Sequence, residues 1–66
     1  MKELSLKIRI LNYINRQDRW VNGKEIEELA MSVGKKASNA SRRCRELFNE
    51  GKIDRKEEKS VYYKAL

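Results

Sequence analysis

The chain has no histidine, no proline and a single cysteine. Those absences exclude several classes of protein. With one cysteine there is no internal disulfide, so the framework of a small secreted scaffold is excluded. Without histidine, and with Cys44 alone, there is no Cys/His cluster for zinc and no base beside the thiol for nucleophilic catalysis. No glycine-rich phosphate loop is present among only three glycines. No stretch approaches the roughly 18 apolar residues of a membrane helix, and the N-terminus lacks the apolar segment of a signal peptide. An enzyme is not expected, nor a cofactor, a metal or a small-molecule effector. A cytoplasmic location follows, and with no proline no element is broken from within.

What is present is charge. The 66 residues carry 16 lysines and arginines against 10 aspartates and glutamates, for a formal net charge of +6. The excess is confined. Between Gly34 and Arg45 there are five bases (Lys35, Lys36, Arg42, Arg43 and Arg45) and no acid, while five bases meet five acids from Glu3 to Val33 and again from Glu46 to Leu66, and Lys2 supplies the one remaining charge. A chain this short buries only about 60% of its unfolded surface, so one domain over residues 1–66 with a thin core is expected.

Periodicity divides that domain. Glu3 to Arg16 predicts a first helix, with Leu4, Ile8, Leu11 and Ile14 as one apolar stripe and Leu6, Ile10 and Tyr13 widening it. Such width fits a central core helix, or a helix that also lends Leu6 and Tyr13 to a dimer contact. Trp20-Val21 is short and β-favouring. Trp20 is expected to complete the core, stacking on bases being the alternative. Asn22 with Glu25 has the spacing of a capping box for a second helix to about Met31, and Gly34 suits a left-handed turn. Glu25, Glu27 and Glu28 complement the dipole of that helix.

A third helix is predicted from Ala37 or Ser38, with Ser38 as its cap, to about Glu50, with Gly51 beyond its end. Ala37, Ala40, Cys44, Leu47 and Phe48 form its apolar stripe, in which Cys44 is a small core hydrophobe. Ser38, Asn39, Arg42, Arg45 and Asn49 fall away from that stripe, with Arg43 at its flank. Two alternating runs, residues 52–56 and 61–65, then predict a β-hairpin around a polar loop. One of Tyr62 and Tyr63 must face outward, and the pattern leaves open which.

Helix, short strand, helix, helix and hairpin is the order of the winged helix-turn-helix domain, and the residues resemble that family. Trp20-Val21-Asn22-Gly23-Lys24-Glu25-Ile26 is similar to its strand and capped second helix. Ser41-Arg42-Arg43-Cys44-Arg45-Glu46-Leu47, followed by Gly51-Lys52-Ile53-Asp54-Arg55, resembles its recognition helix running into the first wing strand. Val61-Tyr62-Tyr63-Lys64 resembles the second wing strand. The resemblance spans about Leu4 to Leu66. It implies a mostly helical α+β fold with three helices, a short first strand and a C-terminal hairpin wing. It also implies sequence-specific binding of double-stranded DNA by a small regulator, a repressor acting by site occupancy and associated with the nucleoid. The third helix would lie in the major groove. Ser38, Asn39, Arg42 and Arg43 would stand near the groove, and Lys35 and Lys36 at phosphate. Arg45 sits further round and suits phosphate. Lys56, Lys59 and Lys64 would reach phosphate from the hairpin, although its tip, Glu57-Glu58-Lys59-Ser60, departs from the family in being acidic. A homodimer is expected, because one short helix reads few base pairs. The alternative within the same fold is a protein-interaction module whose basic helix meets an acidic partner.

Overall fold

The computed structural model describes residues 5–66. It is a small α+β fold of three helices and one antiparallel three-stranded sheet: α1 (Leu6–Arg16), β1 (Val21–Asn22), α2 (Gly23–Ser32), α3 (Ala37–Asn49), β2 (Ile53–Glu57) and β3 (Val61–Ala65). Among the described residues no helix is long and apolar enough to cross a membrane.

α1 starts at Leu6 because Ser5 caps it, its hydroxyl accepting from the Ile8 backbone N–H at 3.2 Å. The expected start at Glu3, and Leu4 of the expected stripe, lie outside the described residues. The inward face is also rotated from expectation. Ile10 and Ile14 are fully buried, Leu6, Leu11 and Tyr13 pack against the core, and Ile8 is 45% exposed. Along the helix, the neighbours of Ile8 at the next two turns are Asn12 and Asn15, both exposed. A face so diluted with amides loses to the Leu6–Ile10–Tyr13–Ile14 face in burying apolar area. Leu6 and Tyr13 are thus engaged by the protein's own core.

Asn22 caps α2 as its spacing predicts. Its side chain accepts from the Lys24 N–H at 2.9 Å, and Glu25 reaches back to the Asn22 N–H at 3.2 Å. Arg19 donates twice to the same carboxylate, at 2.8 and 3.0 Å. That guanidinium, assisted by the Asn22 N–H, holds Glu25 below the usual carboxylate range. Helices α2 and α3 both end in the same way. Gly34 at φ 79° and Gly51 at φ 75° occupy the left-handed region. The N–H groups of Gly34 and Lys35 return to the carbonyls of Met31 and Ala30, and those of Gly51 and Lys52 to the carbonyls of Phe48 and Leu47. This pair of hydrogen bonds satisfies carbonyls that the helix end leaves open. It also turns the chain sharply, first from α2 into the approach to α3 and then from α3 into the hairpin.

The sheet order is β1-β3-β2, with Val21 opposite Tyr63 and Tyr63 opposite Arg55. Val21, Ile53 and Tyr63 face the helices and join Ile10, Ile14, Ile26, Ala30, Ala40, Cys44 and Leu47 in one core. Tyr63 is therefore the buried tyrosine, and Tyr62 is half-buried on the outer face. Trp20 is not in the core, contrary to expectation. Alternation turns Val21 inward, so the preceding residue faces out. The Trp20 ring lies instead under the ammonium groups of Lys56 and Lys64, at 4.7 and 5.9 Å from its centroid.

Candidate nucleic-acid interface

α3 is held from behind by Ala40, Cys44 and Leu47, each at most 1% exposed. Successive residues rotate by about 100° around a helix, so fixing these three fixes where every other side chain points. Ser38, Arg42, Arg45 and Asn49 form the outermost stripe and are exposed. Arg45 is thus in line with Ser38 and Arg42 rather than turned away from them. Asn39, Arg43, Glu46 and Glu50 lie on the side facing α1. Ser41 lies on the side facing the hairpin. Phe48, expected to anchor the helix, is 41% exposed. It stands one residue round from Leu47, at the edge of the buried stripe.

The start of α3 is open. Lys36 is its N-cap, with extended backbone and no side-chain hydrogen bond to the first turn. Ser38 is not the cap, contrary to expectation. Lys36 adopts the extended capping conformation, its carbonyl accepts from the Asn39 N–H at 3.0 Å, and Ser38 is already inside the helix. Among the described residues no carboxylate or hydroxyl closes the positive end of the helix, and Lys35 and Lys36 stand exposed beside it. Among the described residues, Lys35, Lys36, Arg42 and Arg45 make no ion pair. Arg43 differs. It is half-buried and bonds Glu46 at 3.0 Å.

The groove between α1 and α3 gathers Ser5, Leu6, Lys7, Lys35, Asn39 and Arg43. Lys7 pairs with Glu50 and lies 4.0 Å from Glu46. Its bond, joined by Lys52 at 3.2 Å, holds the Glu50 carboxyl below its ordinary range. Lys7 was not among the residues the sequence nominates. The signal was the like-charged pair Glu46 and Glu50 one turn apart, which repels along the helix and is relieved only by cations from elsewhere.

Two nominated lysines sit apart from this surface. Lys56 is on the outer face of the sheet, 3.8 Å from Glu58, with its ammonium over Trp20 and, at 5.5 Å, over Tyr62. Lys59 is exposed in the three-residue loop, where the Glu58 N–H donates to the Ser60 carbonyl at 3.0 Å. Arg55 pairs with Glu57 at 3.1 Å.

Between the start of α2, the middle of α3 and the hairpin is a small hollow lined by Lys24, Ser41, Cys44, Val61 and Tyr63, among others. Burial pushes the Cys44 thiol up to about 12, so it stays protonated and unreactive at neutral pH. Among the described residues no group of three or more His, Cys, Asp or Glu side chains is placed to hold a metal ion. Comparison of the chain with protein-family models, curated proteins and solved structures gave no match. The functional argument therefore rests on the geometry of α3 and its surroundings.

Proposed function

We propose that the protein is a winged helix-turn-helix domain that binds double-stranded DNA in a sequence-specific manner, with α3 in the major groove. The order of elements supports the fold assignment: a two-residue strand ahead of α2, a glycine turn between α2 and α3, and a hairpin after α3. The observation that carries the function is the outward stripe of α3. Arg42 and Arg45 project from a helix whose start is uncapped, and with Lys35 and Lys36 they have no carboxylate partner among the described residues. A cation already paired at the surface contributes little to outside binding, whereas an unpaired one is available to phosphate and base edges. Arg42 or Arg45 can meet guanine bidentately and Asn39 or Asn49 adenine, each worth about 1–3 kcal/mol of discrimination.

The domain then acts as a transcriptional regulator by occupying its site. One helix of this length reads few base pairs, so a two-fold dimer on a palindrome, its recognition helices about 34 Å apart, would give the specificity. Replacing both Arg42 and Arg43 with Ala is expected to weaken duplex binding strongly and to flatten its salt dependence. An unchanged affinity would contradict the reading.

The acidic tip of the hairpin favours a second reading, in which the same fold docks on an acidic protein surface. Random duplex at low salt separates the two. Absence of a mobility shift at micromolar protein selects the protein partner.

A further inference from the structure

We propose that the groove between the start of α1 and α3 is a binding site for one DNA backbone phosphodiester, with Lys7 as its added ligand and Glu50 as the counter-ion that holds Lys7 in the free protein. This rests on the duplex-binding reading of α3. Three cations from three elements converge on the groove: Lys7 from α1, Lys35 from the turn before α3 and Arg43 from α3. Asn39 supplies an amide donor and Ser5 a hydroxyl. Placed side by side, the three ammonium and guanidinium groups repel one another unless an anion lies among them.

The free protein supplies such an anion only on one side. Glu46 and Glu50 draw Lys7 and Arg43 toward the C-terminal half of α3, and Lys35 is left without an ion pair among the described residues. A duplex whose major groove receives the outer stripe of α3 carries its nearest backbone along the flank of that helix. The α1 flank is the more basic of the two, with Lys7, Lys35 and Arg43 against Glu46 and Glu50. The opposite flank presents Ser41 and the hollow above Cys44, whose lining holds one base, Lys24, and one acid, Glu27. A phosphodiester in the groove would take Lys7 from Glu50 and complete the set with Lys35. The exchange is feasible because the Lys7 side chain is 28% exposed and that of Glu50 39%, and exposed ion pairs of this kind contribute only about 0–1 kcal/mol. Lys52, 3.2 Å from Glu50, stays to neutralise the carboxylate that Lys7 leaves.

The test is duplex binding by fluorescence anisotropy as a function of salt, for the wild type, Lys7→Ala, Glu50→Gln and Arg16→Ala. Arg16→Ala removes the same charge from the far end of α1, outside the groove. Loss of one phosphate contact makes the slope of log affinity against log salt shallower by about 0.9. Lys7→Ala is therefore expected to lower affinity about fivefold to tenfold at 0.1 M salt and to show that change of slope. Arg16→Ala should keep the wild-type slope, and Glu50→Gln should bind more tightly than wild type. Circular dichroism confirms that each variant is folded. A wild-type slope in Lys7→Ala, or the same change in Arg16→Ala, overturns the phosphate site while leaving the α3 reading intact. Failure of the wild type to bind duplex overturns both.

Discussion

The approach to α3 with its first half, and the hairpin that follows, are both rich in lysine and arginine, yet they differ in what their cations do. Among the described residues, Arg43 alone of the bases from Lys35 to Arg45 is tied to a carboxylate. In the hairpin, Arg55 is tied to Glu57 and Lys56 to Glu58, Lys52 just before it is tied to Glu50, and Lys59 and Lys64 make no ion pair among the described residues. The cause is spacing. On a strand, residues two apart share a face, so the acids at 57 and 58 fall beside the bases at 55 and 56. On α3 the nearest acid to the exposed stripe is Glu46, which is turned to the α1 side and already occupied. Number of positive charges is therefore a poor guide to attraction for a polyanion, and the positions of the acids decide it.

The comparison is broken most severely by charge reversal. Arg42→Glu with Arg45→Glu is expected to cut duplex affinity by about a hundredfold or more at 0.1 M salt, measured by anisotropy. Lys56→Glu with Lys59→Glu, the same change in formal charge, should cost much less. Equal losses would mean that the hairpin is a full partner in binding.

Next in size is the joint between the two regions. Gly51→Ala places a side chain at φ 75° with no atom within 4 Å of the added carbon, so the cost is backbone strain alone. That strain is about 1 kcal/mol, a fall of roughly 4–8 °C in melting temperature for a domain this small. Duplex affinity well below the transition should be unchanged. A larger fall would indicate a packing role for this turn.

A smaller change sharpens the contrast from the other side. Glu57→Gln with Glu58→Gln unpairs Arg55 and Lys56, and should raise duplex affinity by about two- to fivefold with a slightly steeper salt dependence. No gain would show that the hairpin stays clear of the backbone whatever its charge.

The smallest effect is on stability against pH. Glu25, through Arg19, and Glu50, through Lys7 and then Lys52, are both held below the ordinary carboxylate range. A depressed pKa in the folded state contributes stability above the unfolded value of about 4.3. That contribution is lost as pH falls through the depressed one. The melting temperature by circular dichroism should be flat from pH 7 to about 5 and fall below pH 4. Glu25→Gln should show a shallower fall, since residue 25 then carries no charge to lose. A melting temperature independent of pH down to 3 would show that neither pair matters.

Much of this was legible in the chain. The capping box at Asn22 and Glu25, the left-handed glycines at 34 and 51, and the basic run from Lys35 to Arg45 are local signals. Each depends on residues within a turn of one another. What the chain did not reveal depends on neighbours far along it. The choice between the Ile8 and Ile10 faces of α1 was made by packing. Trp20 left the core because Val21 took the inward position. Ser38 lost the cap to the extended backbone of Lys36. Lys7 entered the candidate site because α1 crosses α3 at Glu50, 43 residues away in sequence.

The central claim is that unpaired cations between Lys35 and Arg45 give the protein its hold on duplex DNA. Its most direct test is the affinity of the wild type for duplex between 50 and 200 mM salt. With four phosphates neutralised by Lys35, Lys36 and the arginines of α3, the account predicts a slope of about −3.5 in log affinity against log salt, or steeper. That is a loss of roughly a hundredfold across the range. An affinity that does not change with salt, or no binding at micromolar protein and 50 mM salt, would contradict it.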